Sequence, residues 1–489
     1  MIQSILKAIS WKPIFWGLAT GVYPLFFYYT HNFSLINSWK HLGFFIGLFL
    51  LLPMALFGLA NWLMTNRRIS SIKQMEVFTF LSTFTFLVFL EVCLFAGIQW
   101  ILLVFSFILA MAFAKFAASH FGKLIVFQWL LAFVALFGLV PRIISQLNYS
   151  QEWILQPDNI ESVVFKKTPN VYYIEPDGYA NFSEMERGYY QLDNEKFKTF
   201  LEEEGFAVYE HFRSNYTATL ESNSATFAMK HHYYNFGFDF SEITNAREVI
   251  VSKNPVLDIF KRNGYKTHFF TEVSYLLANF PKMGYDVCNF DYDEVSLVSK
   301  GFDLKKDVFS ALKEYFEKDA GKPKFFFIEI MSPGHVESKK NATLGAKLEK
   351  EKYIEKLKIS NRKLTQMVQF ITNHDPEALV VIMADHGGYL GFDYMLQIRD
   401  KQDDRDLVYS AFSALLAIKW PEESIKESSL DFRSSVNAFR LLFSYLGDNK
   451  KYLEHLQEDA SYSIIKNGAV KGIYKLIDEN DQVVFDKVD

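Results

Sequence analysis

The chain has 489 residues, half of them hydrophobic and 17% aromatic, and a formal net charge of -5. That is more chain than one ordinary domain uses, and the acidic balance argues against a nucleic-acid partner, which needs a basic face. The two cysteines, Cys93 and Cys288, stand far apart, one in an apolar run and one in a polar region, so neither a disulfide nor a zinc-type cysteine spacing is expected.

Apolar residues concentrate in the first 140 positions. Five spans are expected there, at about 13–29, 42–64, 75–96, 98–114 and 124–140, each near the ~17–25 residues a membrane helix needs. The first is not read as a cleaved signal, because more spans follow and "FFYYTHN" lacks a small-residue cleavage site. With the N-terminus in the cytoplasm, the inner flanks carry Lys7, Lys12, Arg67, Arg68, Lys73, Lys115 and Lys123, and the outer flanks only Lys40 and Arg142. The positive-inside rule favours that arrangement and places everything after Arg142 outside the cytoplasm. Glu91 is the one acid well inside a span. A carboxylate there is costly, and it is read either as a headgroup or helix contact or as a polar contact near the outer end of the span.

After a connector at about 141–169, strands and helices alternate. "NVYYIEP" reads as a strand and "NEKFKTFLEEEG" as a helix stopped by Gly205. "PVLDIFKRNG" is a helix with Pro255 in its first turn and Gly264 after its end. "YKTHFFTE" and "KFFFIEIM" are strands; a long helix over about Ala346 to Asn373 leads into "ALVVIMA". "FSALLAI" is a fifth strand, "SSVNAFRLLFSYLG" a late helix, and "GIYKLIDENDQVVFDKV" a terminal hairpin. Continuous apolar strands separated by helices indicate a mainly parallel sheet with helices on both faces. The expected fold is thus an all-α transmembrane bundle of five helices over 1–140, followed by an α/β domain over 170–489.

In such sheets, ligands bind beyond the carboxyl ends of the strands. "VVIMADH" delivers Asp385 and His386 to that rim, "NVYYIEPD" delivers Asp177, and "FFFIEIMSPGH" delivers Glu329 and His335. Carboxylate oxygen and imidazole nitrogen suit one divalent ion such as zinc or manganese. A strand-end Asp-His pair alone is equally a helix cap and a loop histidine; convergence of three strand ends favours metal. The hydroxyl-rich stretch "RSNYTATLESNSATFAMKHH" turns helical at about Thr219, with Glu221 and Ser222 in the first turn. A hydroxyl there is ordinarily an N-cap. The other reading is an attacking oxygen, activated by a metal ion and beside free N–H groups that hold an anion.

These motifs, in this order, resemble the alkaline phosphatase superfamily, in its sulfatase-like branch of lipoteichoic acid synthases and phosphoethanolamine transferases. "NVYYIEPDGYAN" is similar to its first metal motif, "SNYTATLESNSATF" to its nucleophile segment, "FFFIEIMSPGH" to its substrate-side histidine segment and "MADHGG" to its Asp-His-Gly motif. "YIEKLKISNRKL" and "SSVNAFRLLF" also look like segments of bacterial sulfatase-like membrane proteins. The resemblance implies a metal held by Asp177, Thr219, Asp385 and His386, with Thr219 as nucleophile. It implies His335 as a catalytic and substrate-binding group, with Glu329 and Asn215 as further substrate-binding residues. It further implies a membrane-anchored phosphotransferase. A phosphoethanolamine- or phosphoglycerol-type headgroup would pass from a membrane lipid donor to an envelope glycan or lipid through a phospho-threonine. The alternatives are an extracytoplasmic phosphatase, phosphodiesterase or sulfatase-like hydrolase, and a non-catalytic membrane scaffold.

The chain departs from that pattern in places. Neither cysteine starts the C-x-P-x-R signature of sulfatases. After His386 the only histidine is His455, in "KYLEHLQED", so one metal is expected rather than two. Glu329 stands where related sequences often carry histidine, and pairing with a lysine is its other reading. His211, His231 and His232 are expected to be structural or peripheral.

Overall fold

A computed structural model describes residues 11–95, 97–235, 243–318, 321–421 and 430–488. Lys7 of the first basic flank and Ala96 at the end of the third expected span lie outside the described residues. The chain forms two compact units, one of Met1–Tyr149 with Ala278–Phe280 and Val295–Gly301, the other of Ser150–Leu277, Pro281–Glu294 and Phe302–Asp489.

The first unit is helical. Its helices are α1 (Trp11–Ile36), α2 (Trp39–Asn66), α3 (Ser71–Phe95), α4 (Trp100–Ala117) and α5 (Phe121–Leu147). Among the described residues, three helices are long and apolar enough to cross a membrane: Trp39–Asn66, Ser71–Phe95 and Trp100–Leu147. The last of these joins α4 to α5 through the turn Ala118–His120. α1 coincides with the first expected span but is not among the three. It carries Pro24 and a non-helical Asn32.

Glycines let α1 and α2 approach closely: a Cβ at Gly21 would lie 1.5 Å from Phe49 O, and one at Gly17 2.5 Å from Pro53 O. Inside the bundle, Gln128 Nε2 donates to Ser82 Oγ at 2.9 Å, and Ser82 Oγ lies 3.1 Å from Thr20 Oγ1. These contacts satisfy polar groups where no water reaches. Glu91 accepts the Gln99 backbone N–H with one carboxylate oxygen, in the turn between α3 and α4. Its other oxygen is buried without a hydrogen bond.

The second unit is built on a seven-stranded sheet. Its strands are β1 (Val171–Pro176), β2 (Ala207–Val208), β3 (Lys266–Thr271), β4 (Val287–Cys288), β5 (Lys324–Ile330), β6 (Leu379–Met383) and β7 (Leu416–Lys419). Their order is β2-β7-β6-β1-β5-β3-β4, and β6, β1, β5, β3 and β4 run parallel. β1, β5 and β6 are buried along their whole length, as continuous apolar runs require when both faces are covered.

The helices of eight or more residues in this unit are α6 (Glu195–Glu203), α7 (Thr219–Ala228), α8 (Pro255–Arg262), α9 (Val308–Phe316), α10 (Ala346–His374), α11 (Arg405–Phe412) and α12 (Ser435–Leu446). On one face of the sheet, Tyr173 and Phe327 pack on Phe227 of α7, Tyr173 on Phe439 of α12, and Phe325 on Phe260 of α8. On the other face, His268 and Phe270 meet Tyr315 of α9, which α10 joins through Phe316 and Phe370.

β7 is antiparallel to β6, a departure from the parallel sheet that the strand and helix alternation indicates. The reason is local. After β6 the chain stays at the same end of the sheet: Gly387 N donates to Ala411 O at 2.9 Å, Tyr389 N to Ser410 O at 3.0 Å and Ala384 N to Leu415 O at 2.9 Å. α11 therefore returns the chain directly downwards, with no crossover. The C-terminal residues form β8 (Ser461–Ile465), β9 (Gly472–Ile477) and β10 (Val483–Lys487), an antiparallel sheet of order β10-β9-β8.

Candidate metal centre and nucleophile

β1 and β6 are neighbours, and each delivers its acids just past its last residue. Asp385 turns Oδ1 toward the backbone, where it accepts from Gly178 N at 3.1 Å and His386 N at 3.0 Å. His386 holds Nδ1 2.9 Å from Gly387 O, which places the proton on Nδ1 and leaves the Nε2 lone pair facing inward. Asp177 is fixed by its main chain: its N donates to Ile330 O at 2.8 Å, and its carbonyl accepts from Gly334 N at 2.7 Å. The two glycines after His386 have packing reasons. A Cβ on Gly387 would fall 2.3 Å from Ser410 O, and one on Gly388 2.3 Å from the Tyr353 ring.

Three atoms are left over. Asp177 Oδ1, Asp385 Oδ2 and His386 Nε2 are buried and have no hydrogen bond. Nε2 lies 3.4 Å from each of the two oxygens, and one ligand atom from each residue fits within a 4.8 Å group. Orphaned buried lone pairs are rare and call for an explanation. Two ligands each ~2.1 Å from a tetrahedral ion stand roughly 3.4 Å apart, which is the spacing found. The donor set of two carboxylates and one imidazole fits zinc or manganese.

Electrostatics point the same way. Burial raises the Asp177 pKa against the pull of His386 and Lys356. Burial likewise raises Asp385, opposed by His386. Burial lowers the His386 pKa, but Asp385 and Asp177 outweigh it and the net shift is upward. Negative charge is under-compensated here, as it would be around a cation's seat.

Thr219 is the first residue of α7. The N-cap is Ala218, with no side-chain cap, so the Thr219 hydroxyl does not cap the helix. Its side chain is within electrostatic reach of Asp385 and opposes the rise of that acid's pKa. Thr219, Asp177, His386 and His335 line one open cavity of ≈ 570 Å³. His335 is half-buried, with Nδ1 at 2.5 Å from Val336 O. Burial, with His386 adding, lowers its pKa to about 4, so the ring is neutral.

Other expected site residues lie elsewhere. Asn215 is fully buried: its amide donates to Ala460 O at 2.7 Å, and its Oδ1 accepts from Ser435 Oγ and Val436 N at the start of α12. Both ends of the side chain are engaged by the fold, and Asn215 is not on the cavity wall. Glu329 is fully buried beside Glu175, its register partner on β1. It accepts from Thr271 Oγ1 at 2.5 Å and is not on the cavity wall. Burial raises its pKa to about 8, with Asp177 and Asp385 adding and Thr271 opposing. The nearby lysine pair belongs to Glu272 and Lys363 instead. His231 and His232 are buried and engage Glu458 O and Glu221 O, His211 is exposed, and His455 lies in the turn Lys450–His455.

Sequence reasoning missed the cations. Lys305 and Lys356 line the cavity, and Lys356 Nζ lies 4.0 Å from a Cβ built on Gly334. A signal existed for Lys356. It stands three residues after Tyr353, whose hydroxyl donates to Gly178 O at 3.0 Å, and residues at i and i+3 share a helix face.

No family model matches the chain, and no curated protein does. Among solved structures, it is similar to the C-terminal periplasmic domain of EcEptC from Escherichia coli, with 14% identity, a TM-score of 0.42, 67% of this chain and 99% of that chain. It is also similar to the integral membrane lipooligosaccharide phosphoethanolamine transferase A (EptA) from Neisseria meningitidis, with 12% identity, a TM-score of 0.41, 90% of this chain and 96% of that chain. The lipoteichoic acid synthase LtaP from Listeria monocytogenes follows at 12% identity and a TM-score of 0.40, over 67% of this chain and 91% of that one. These neighbours all belong to the alkaline phosphatase superfamily, the one the motifs resemble. At these identities and scores the likeness carries no functional weight of its own; the cavity does.

Proposed function

We propose that this chain is a membrane-anchored, metal-dependent phosphotransferase. It moves a phosphoethanolamine- or phosphoglycerol-type headgroup from a lipid donor to an envelope glycan or lipid. The observation that carries this reading is the Thr219 hydroxyl, free of any capping role, on the wall of the same cavity as Asp177 and His386, two of the three residues with orphaned buried atoms.

In this scheme Thr219 Oγ attacks phosphorus, the bond from phosphorus to the lipid oxygen breaks, and diacylglycerol leaves with a proton. The acceptor hydroxyl then attacks the phospho-threonine and frees Thr219. A divalent cation on Asp177, Asp385 and His386 would supply Lewis acidity, easing loss of the threonine proton and offsetting phosphoryl charge. Lys305 and Lys356 bind the phosphate oxygens as point charges. His335, neutral with its proton on Nδ1, accepts a hydrogen bond at Nε2 and orients the incoming hydroxyl; it is not set up as an acid. The first unit supplies five spans, with the N-terminus cytoplasmic and the catalytic unit (170–489) outside. Anchoring raises the effective concentration of a lipid-borne donor.

The test uses purified full-length protein in vesicles of phosphatidylethanolamine and phosphatidylglycerol. Diacylglycerol release should require a divalent cation, stop on chelation, and speed up when a glycan acceptor is added. Release that ignores both chelator and acceptor would count against the reading.

A further inference from the structure

The first unit contains a cavity of ≈ 390 Å³, within the ~300–1,000 Å³ range of ligand pockets. It opens where the end of α1, the start of α2 and the end of α5 come together. Its walls are apolar: Leu25, Phe26 and Phe33 from α1, Leu42 from α2, Leu139 and Ile143 from α5. Leu25 and Phe33 are eight residues apart, so the wall runs roughly 12 Å along a helix. The polar lining residues sit at element ends: Asn37 and Ser38 in the turn between α1 and α2, and Gln146 one residue before the end of α5. Trp39, also lining, is 88% exposed, as aromatic residues at a membrane interface are.

Tyr29 also lines the cavity and is 8% exposed. Water is a poor filler, since it needs two to four polar partners. The outside of this unit bears exposed Phe105, Ile108, Phe116, Phe133 and Phe137, so hydrocarbon is the medium around it.

From these features we infer that the cavity holds one acyl chain of a glycerophospholipid. The chain lies along Leu25–Phe33. The polar end faces Asn37, Ser38 and Gln146. The role assigned to that lipid, as headgroup donor, rests on the transferase reading; the binding does not.

The test is photolabelling of the full-length protein in phosphatidylethanolamine/phosphatidylglycerol nanodiscs. The probe is phosphatidylglycerol with a diazirine in one acyl chain. Label should concentrate on peptides containing Leu25–Phe33 and Leu139–Gln146, at least fivefold over those containing Phe105 and Ile108. Excess unlabelled diacyl phosphatidylglycerol should compete for it, and this arm needs no mutation. Leu139→Trp, which fills the cavity, should lower label at those peptides about fivefold while label at Phe105 is unchanged. Label spread evenly over all the spans, not competed and unmoved by that variant, would mean bulk lipid only and overturn the inference. The two readings fail separately. Concentrated label without diacylglycerol release sinks the transferase and spares the site; release with even label does the reverse.

Discussion

A carboxyl group buried beside other carboxyls keeps its proton, because no solvent offsets the charge. Glu329 is the clearest case here, raised from 4.5 to about 8 by burial, with Asp177 and Asp385 adding. The sign follows from linkage. Stability tied to this proton is complete below about pH 4.5 and is lost as pH rises through about 8. In chelator-treated protein, the melting temperature should therefore fall from pH 5 to pH 8.5. Glu329→Gln, which keeps the shape without the charge, should flatten that fall. Equal slopes in the two proteins would show that Glu329 is ionised throughout. The same residue shows what sequence could not convey. Asp177, Asp385 and His386 were readable because a polar residue just past an apolar strand has one place to go. Glu329 lies in an apolar strand and Asn215 in a polar stretch, but the partners of both come from Thr271, Ala460, Ser435 and Val436. No local spacing announces such contacts.

Strand ends and helix starts were the most readable elements. α7 begins at Thr219 and α10 spans Ala346–His374, both where hydroxyl content and apolar spacing put them. The direction of β7 was not readable. It depends on a backbone ladder between the Asp-His-Gly turn and α11, and hydrogen bonds between main chains leave no mark on side-chain order. β8 escaped for a different reason: "SYSII" is only five residues long, and both its serines are buried with the rest. The ladder makes its own prediction. In Gly387→Ala the new Cβ would meet Ser410 O at 2.3 Å, and a carbonyl held in the main chain has little freedom to yield. The variant should lose about 1–3 kcal/mol in denaturant unfolding. It should also bind zinc more weakly in a competition titration, because the shift moves His386. Unchanged stability would mean that α11 is free to move away from the turn.

Hydropathy made the membrane character of the first unit plain, and charge on its flanks gave an orientation. The number of crossings is less directly written. Pro24 and Asn32 interrupt the first helix, and the turn Ala118–His120 links α4 to α5 within one long apolar stretch. Everything proposed for the catalytic unit turns on one bond, from Thr219 Oγ to phosphorus. Full-length protein can be incubated with phosphatidylethanolamine/phosphatidylglycerol vesicles without acceptor, quenched in acid, digested and weighed peptide by peptide. The peptide carrying Thr219 should gain the mass of a phospho-headgroup, and added glycan acceptor should discharge it. Thr219→Ala should carry no added mass and lose roughly 10⁴-fold or more in diacylglycerol release. Its fold should be largely kept, because the Thr219 hydroxyl caps nothing. Near wild-type release by Thr219→Ala, or a working wild-type enzyme that never carries mass on Thr219, would contradict the covalent scheme.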